Sequence, residues 1–204
     1  MAYSNFTMTM LGERFGIQDK RTTLFNRKTL KGTLVPRTRL LEDIADAKEL
    51  PIESEKSKSE HLITPILKAV WHLADKNFTY YSGYAFDVDK KQGLTGICDY
   101  LWSAEESIAI KAPIFCLVEA KHRTITEGIP QAFAEMYAAQ CFNEKHQKAT
   151  PIVYGCVTDG LSWRFLQLKD KTAYIDTEIF HIDQDLPFLL EILLEIAHLY
   201  IKKV

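Results

Sequence analysis

The chain has 204 residues, 47% of them hydrophobic, and a formal net charge of −2. That is enough apolar material for one sizeable core with at most one extension, and the near-zero charge gives no global argument for a polyanionic partner. Cys98, Cys116, Cys141 and Cys156 sit in apolar surroundings without CxxC spacing, which points to reduced core thiols and away from zinc or a disulfide framework. No apolar run reaches membrane-spanning length and the first residues carry no apolar signal core, so the expectation is a cytoplasmic protein without membrane contact.

Residues 1–39 show no clear periodicity. Arg14, Lys20, Arg21, Arg27, Lys28, Lys31, Arg37 and Arg39 stand there against Glu13 and Asp19. Such local basicity suits a solvated extension, an arm packed on a partner subunit, or a phosphate-contacting arm. Residues 39–50 predict a short helix ended before Pro51, and 51–59 a polar linker. Between 59 and 76, Leu62, Ile63, Ile66, Leu67, Val70, Leu73 and Ala74 recur at helical spacing. Pro65 either opens that helix behind a Thr64 cap or kinks an earlier turn.

Strands are predicted over 78–88, which is rich in tyrosine, over 96–102, and over 114–121. After the break at Gly128 and Pro130, residues 131–143 are alanine-rich and helical. Residues 151–158 form a buried-type strand, Asp159-Gly160 a turn, and 162–168 a returning strand. Residues 173–182 add a further strand and 186–203 a closing helix. The expected fold is α/β, a mixed central sheet flanked by helices. Its expected parts are an N-terminal extension with a basic arm and short helix (1–58), a core (59–182) and a C-terminal helix (183–204).

That last helix is apolar around most of its circumference. Glu191, Glu195, His198 and Lys202 recur at spacings that leave one narrow polar stripe. A helix of this kind must be covered on more than one side. The expectation is a homodimer through it, the alternative being burial within one domain.

The chemistry concentrates at the end of the 114–121 strand. An apolar run, Ile114 to Val118, leads into Glu119-Ala120-Lys121. Strand alternation sends the Glu119 and Lys121 side chains out on one face, with backbones roughly 7 Å apart. Charges ending a buried strand are costly to desolvate without partners. Two other acid-x-lysine triplets, at Asp46 and Asp89, fall on a helix and in a turn, where they are solvated charges. Asp99, on the preceding strand, can lie beside Glu119 in an antiparallel pair. Two adjacent carboxylates repel unless a cation sits between them, and oxygen ligands suit Mg²⁺ or Mn²⁺. His122 alternates to the opposite face, and the six histidines form no ligand spacing.

With Cys98-Asp99, then Glu119-Ala120-Lys121, in the order helix, three strands, helix, strand, the chain resembles the PD-(D/E)XK nuclease superfamily. The hairpin from Val153 to Gly160 followed by Trp163-Arg164-Phe165 resembles nuclease regions of type I restriction subunits, and RecB-type domains are also similar. The resemblance covers roughly residues 59–168. It implies a restriction endonuclease-like αβββαβ core and Mg²⁺- or Mn²⁺-dependent hydrolysis of nucleic acid, DNA by expectation. It also implies metal ligation by Asp99, Glu119 and the Ala120 carbonyl, with Lys121 acting on the attacking water. Glu60 matches the acid of the first core helix, and Gln131 the glutamine after the motif. The chain departs from the superfamily pattern in having Cys98 where proline often stands. Glu135 replaces the tyrosine of the RecB-like pattern and shares a helix face with Gln131. The alternative is a non-catalytic domain of the same fold, serving nucleic-acid binding or assembly.

Overall fold

The computed structural model describes residues 2–121 and 124–201. After a 3-10 turn (Tyr3–Asn5) the elements run α1 (Met8–Phe15), β1 (Gln18–Thr22), α2 (Thr38–Glu49), α3 (Glu55–Lys58) and a π-helical turn (Ser59–Ile63) leading into α4 (Thr64–Leu73). Then come β2 (Thr79–Ala85), β3 (Ile97–Ser103), β4 (Ile114–Ala120), a 3-10 turn (Ile125–Gly128), α5 (Ile129–Lys145), β5 (Ile152–Thr158), β6 (Ser162–Lys169), β7 (Thr172–Asp176), β8 (Phe180–His181) and α6 (Ile182–His198).

The strands form one mixed sheet in the order β1-β7-β6-β5-β4-β3-β2, with β8 on β6. β4 pairs antiparallel with β3 and parallel with β5, and all seven of its residues are buried. That double burial is why its sequence reads as a continuous apolar run. α2, α4 and α6 cover one face, through Leu40, Ile66, Leu67, Leu189 and Leu193 against Tyr100, Val118 and Phe165. α1 and α5 cover the other, through Leu11, Phe133 and Met136 against Leu117, Val153 and Leu166. Met136 lies so close to β5 that a Cβ on Gly155 would sit 2.6 Å from its sulfur. The chain is therefore an α/β sandwich built around the end of β4.

Residues 1–58 are not a separate extension. β1 adds to the sheet edge, parallel to β7 from Gln18 opposite Thr172 to Thr22 opposite Asp176. The basic residues before Arg39 are dispersed rather than gathered into an arm. Arg14 donates to the Gln92 carbonyl at 2.8 Å. Arg27 binds Asp185 at 3.0 and 3.1 Å, pairs with Glu178, and lies 4.4 Å from the Phe180 ring centroid.

The C-terminal helix is also covered from within. α6 starts at Ile182 and ends at His198, short of the predicted 203, and Lys202–Val204 lie outside the described residues. Leu193 and Ile196 are fully buried. The second side of α6 is covered by the chain's own segment after Arg27: Leu30 and Leu34 pack on the same core, and Glu191 accepts from the backbone N–H groups of Lys31 and Gly32 at 3.0 and 2.7 Å. Phe188 occupies the space above Gly32, where a Cβ would fall 2.4 Å from its ring. The burial requirement that suggested a homodimer is thus met by this segment, and the dimer loses its physical reason. Among the described residues no helix is long and apolar enough to cross a membrane.

Candidate active site

The ladder between β3 and β4 ends with Tyr100 opposite Val118. Asp99 is the next residue, and its Oδ2 accepts a hydrogen bond from the Ala120 N–H at 2.8 Å. This tie holds Asp99 near the Glu119 carboxylate, so that the two acids act on each other through their charges. On the other side of β4, the Lys121 N–H continues the parallel ladder by donating to the Thr158 carbonyl at 2.8 Å. Lys121 then turns its ammonium back along the face that Glu119 occupies, to 2.5 Å from Glu119 Oε1. Gly128 makes this path possible, because a Cβ there would stand 3.0 Å from the Lys121 side chain and 2.6 Å from Val157.

α5 crosses over this group. Gln131 Oε1 accepts from Lys121 Nζ at 3.2 Å, and Gln131 Nε2 donates to Glu135 Oε1 at 3.1 Å. A chain of polar contacts thus runs Glu119, Lys121, Gln131, Glu135. Glu119 is 1% exposed and Glu135 fully buried. The second oxygen of each has no hydrogen-bond partner among the described residues, a costly arrangement for a structural site.

Burial and the nearby Asp99 charge push the Glu119 carboxyl up to about 8, against the pull of Lys121. Burial, with Glu119 next, holds Glu135 well above the usual carboxylate range. Asp99 is raised by burial in spite of the Ala120 N–H. Burial pulls the Lys121 ammonium down, but Glu119, Glu55 and Asp99 together hold it above its ordinary value. Three buried or part-buried acids therefore surround one lysine, and burial together with their mutual repulsion opposes ionising all of them at once.

Asp99, Glu119, Ala120, Lys121 and Gln131 converge as the sequence suggested. Glu60 does not join them. It is exposed, pairs with Lys56 at 3.4 Å, and faces the groove between α2 and α4 beside Arg39 and Lys68. The cause is the π turn at Ser59–Ile63: the extra residue in the turn rotates what precedes it relative to α4. Leu62 turns to Gly160, and the Ser59 carbonyl accepts from Tyr100 Oη at 3.1 Å. One turn earlier, on α3, Glu55 contributes to the negative field on Asp99, Glu119 and Lys121. Its signal in the sequence is the Ser54 cap, whose Oγ accepts from the Ser57 N–H at 3.0 Å, in a stretch that composition marks as linker. The sequence marks Glu135 by its spacing of four from Gln131 and by its standing where the RecB-like pattern has tyrosine. His122 lies outside the described residues.

The acids of the cluster are carboxyls, two of them with an orphaned oxygen, and oxygen donors of this kind fit a hard divalent cation and not zinc. Among the described residues, however, no three acids, histidines or cysteines stand as a ready-made metal cluster, and Lys121 itself occupies one oxygen of Glu119. No protein-family model and no curated protein matches this sequence, so its function is read from the chemistry of this cluster.

Proposed function

We propose that the chain is a metal-dependent nuclease of the PD-(D/E)XK kind, with a restriction endonuclease-like core, acting on the phosphodiester bonds of DNA. The observation that carries the reading is the acid excess at the end of β4: Asp99, Glu119 and Glu135 around the single ammonium of Lys121, with Glu119 Oε2 buried and unpartnered. Carboxyl groups gathered in a dry site destabilise a fold, whether they ionise beside one another or are held protonated with an oxygen unpartnered. Their retention here is more economically explained by a cationic ligand than by packing.

Asp99 and Glu119, with the Ala120 carbonyl, are the residues that would hold Mg²⁺ or Mn²⁺. When bound, the cation supplies charge to the scissile phosphate and acidity to a water molecule. Lys121 acts at its Nζ, holding a positive charge and a donor proton where the nucleophile would sit. Gln131 keeps that ammonium from settling on Glu119 alone, through its own contact at 3.2 Å. Burial of Glu119 and Glu135 excludes bulk water from the acids and strengthens each of these interactions.

A second reading has an observation of its own. Lys121 seated on Glu119 and the lack of a ready-made metal cluster among the described residues are what a non-catalytic domain of this fold, binding nucleic acid or serving assembly, would show. Incubation with plasmid and single-stranded DNA in Mg²⁺ or Mn²⁺ separates the two. The nuclease reading expects metal-dependent cleavage that Lys121→Ala and Glu119→Gln abolish. Intact DNA in every metal, from protein that is folded and binds it, overturns that reading in favour of the second.

A further inference from the structure

We infer that the cavity between α2 and α4 is a binding site for a phosphate group, separate from the acid cluster of β4. Arg37, Arg39, Lys68 and His72 line it, over an apolar floor of Leu40 and Ala69, and its volume is about 240 Å³. Two cations come from the start of α2 and two basic side chains from one face of α4, so the tertiary fold brings together charges that lie about 30 residues apart in the chain.

Among the described residues, Arg37, Arg39 and Lys68 form no ion pair. Three full positive charges thus face one acid of the same wall, Asp43, and Asp46 and Glu60 lie further along the groove. A concave wall of one sign focuses field and concentrates counter-ions, and guanidinium groups match phosphate oxygens in pairs. The start of α2, with no side-chain cap and no acid in its first turn, adds to the same field. His72 records that field: partial burial, then the charges of Arg37, Lys76, Lys68 and Arg39, hold its imidazole below the ordinary range.

Nothing in this inference depends on cleavage, so it stands or falls apart from the nuclease reading. The test is a titration of the whole chain with inorganic phosphate at constant ionic strength, chloride serving as the balancing ion, followed on the His72 Cε1–H resonance. That resonance is assigned with His72→Gln. A saturable shift is expected, with a rise in the His72 pKa as the bound anion offsets the cations. In Arg39→Ala/Lys68→Ala, both exposed positions, affinity should fall roughly 10- to 100-fold, since each charged hydrogen bond lost is worth about a factor of ten or more. Lys68→Glu alone should abolish the shift.

The source of the phosphate is read in two further arms, both in EDTA. A nucleoside 5′-monophosphate and a short single-stranded oligonucleotide are titrated in turn. Loss of oligonucleotide affinity in the double variant assigns the site to strand phosphates. Unchanged oligonucleotide affinity, with the mononucleotide response lost, assigns it to a small phosphate-bearing ligand. A non-saturable shift, one equal to that in chloride alone, or one retained in a folded double variant overturns the inference.

Discussion

Glu119→Gln tests the electrostatic reading of the site without any assay of activity. Glu119 titrates at about 8 in the folded chain, against an ordinary value of 4.5. Between those values the folded chain keeps a proton that the unfolded chain has released. Stability is therefore fully present below about pH 4.5 and lost as pH rises toward 8. At 1.36 kcal/mol for each unit of pKa, the loss is at most about 5 kcal/mol. Because Lys121 is shared with Asp99 and Glu55, about 2–5 kcal/mol is the expected range. Glutamine keeps the size of the side chain and an oxygen for Lys121 but carries no charge. For a chain of this length about 2–4 °C accompanies each kcal/mol. Glu119→Gln should therefore melt about 4–20 °C above the parent near pH 8 and nearly with it near pH 5. Asp99 and Glu135 move in the same direction and leave a residual slope. Thermal melts in EDTA across this pH range decide it. A parent chain whose melting temperature is flat with pH, or a variant that keeps the full slope, would refute the reasoning. Under the proposed nuclease reading, added Mg²⁺ or Mn²⁺ should raise the melting point of the parent more near pH 8 than near pH 5, because carboxyls must ionise to hold a cation.

Three more outcomes follow from the geometry. Glu60→Ala should leave any nuclease activity within about twofold, whereas Glu55→Gln should lower it about tenfold or more, as expected for a charge that acts on the site; equal rates in the two variants would remove Glu55 from the reaction. Arg27→Ala should cost about 3 kcal/mol in urea unfolding, because Asp185, 7% exposed, is left buried without its partner, and a loss under about 1 kcal/mol would show the pairing to be of surface strength. Leu193→Glu should unfold the chain as a monomer, since it places a carboxylate in a fully buried position; a folded monomer obtained from a parent dimer would restore the interface to α6.

The middle of the chain was legible because burial there is two-sided. β4 and β5 read as apolar runs, β6 is marked by the Asp159-Gly160 turn before it, and α5 shows itself by its alanines and the proline at its start. Strand order makes Asp99 and Glu119 neighbours only in the right register, which the β3–β4 ladder and the Ala120 N–H bond to Asp99 supply. β1 left no trace: Gln-Asp-Lys-Arg-Thr is an edge strand, four of its five residues exposed, held by backbone hydrogen bonds to β7 that need no apolar face. α1 was missed for a related reason, its eight residues burying only Leu11 and Phe15. Glu60 was misplaced by one helical irregularity. Helical spacing projects residues correctly only while each turn holds the same number of them, and a π turn at Ser59–Ile63 breaks that count. Pro65, just inside α4, has no N–H to give to the carbonyl four residues back, and the wide turn sits where that bond is missing.

The same physics explains why the dimer was expected and why the chain does not need one. The reading of α6 required a second cover for its apolar circumference, and Leu189, Leu190, Leu193 and Ile196 are indeed shielded on every side. The cover is the segment between Arg27 and α2, which has no regular secondary structure and so no periodicity to betray it. Its fit to α6 is polar as well as apolar. Glu191, one of the few charges on the helix, closes the Lys31 and Gly32 N–H groups, while Gly32, at a φ of 60°, lets the backbone turn beneath Phe188. Arg27 fixes one end of this segment on Asp185 and Phe180, and α2 takes up the other. A basic stretch that composition offers as a ligand-seeking arm thus lends Arg27 and the Lys31–Gly32 backbone to holding the helix layer together. Two further cations of the stretch, Arg37 and Arg39, are brought by the fold against Lys68 and His72.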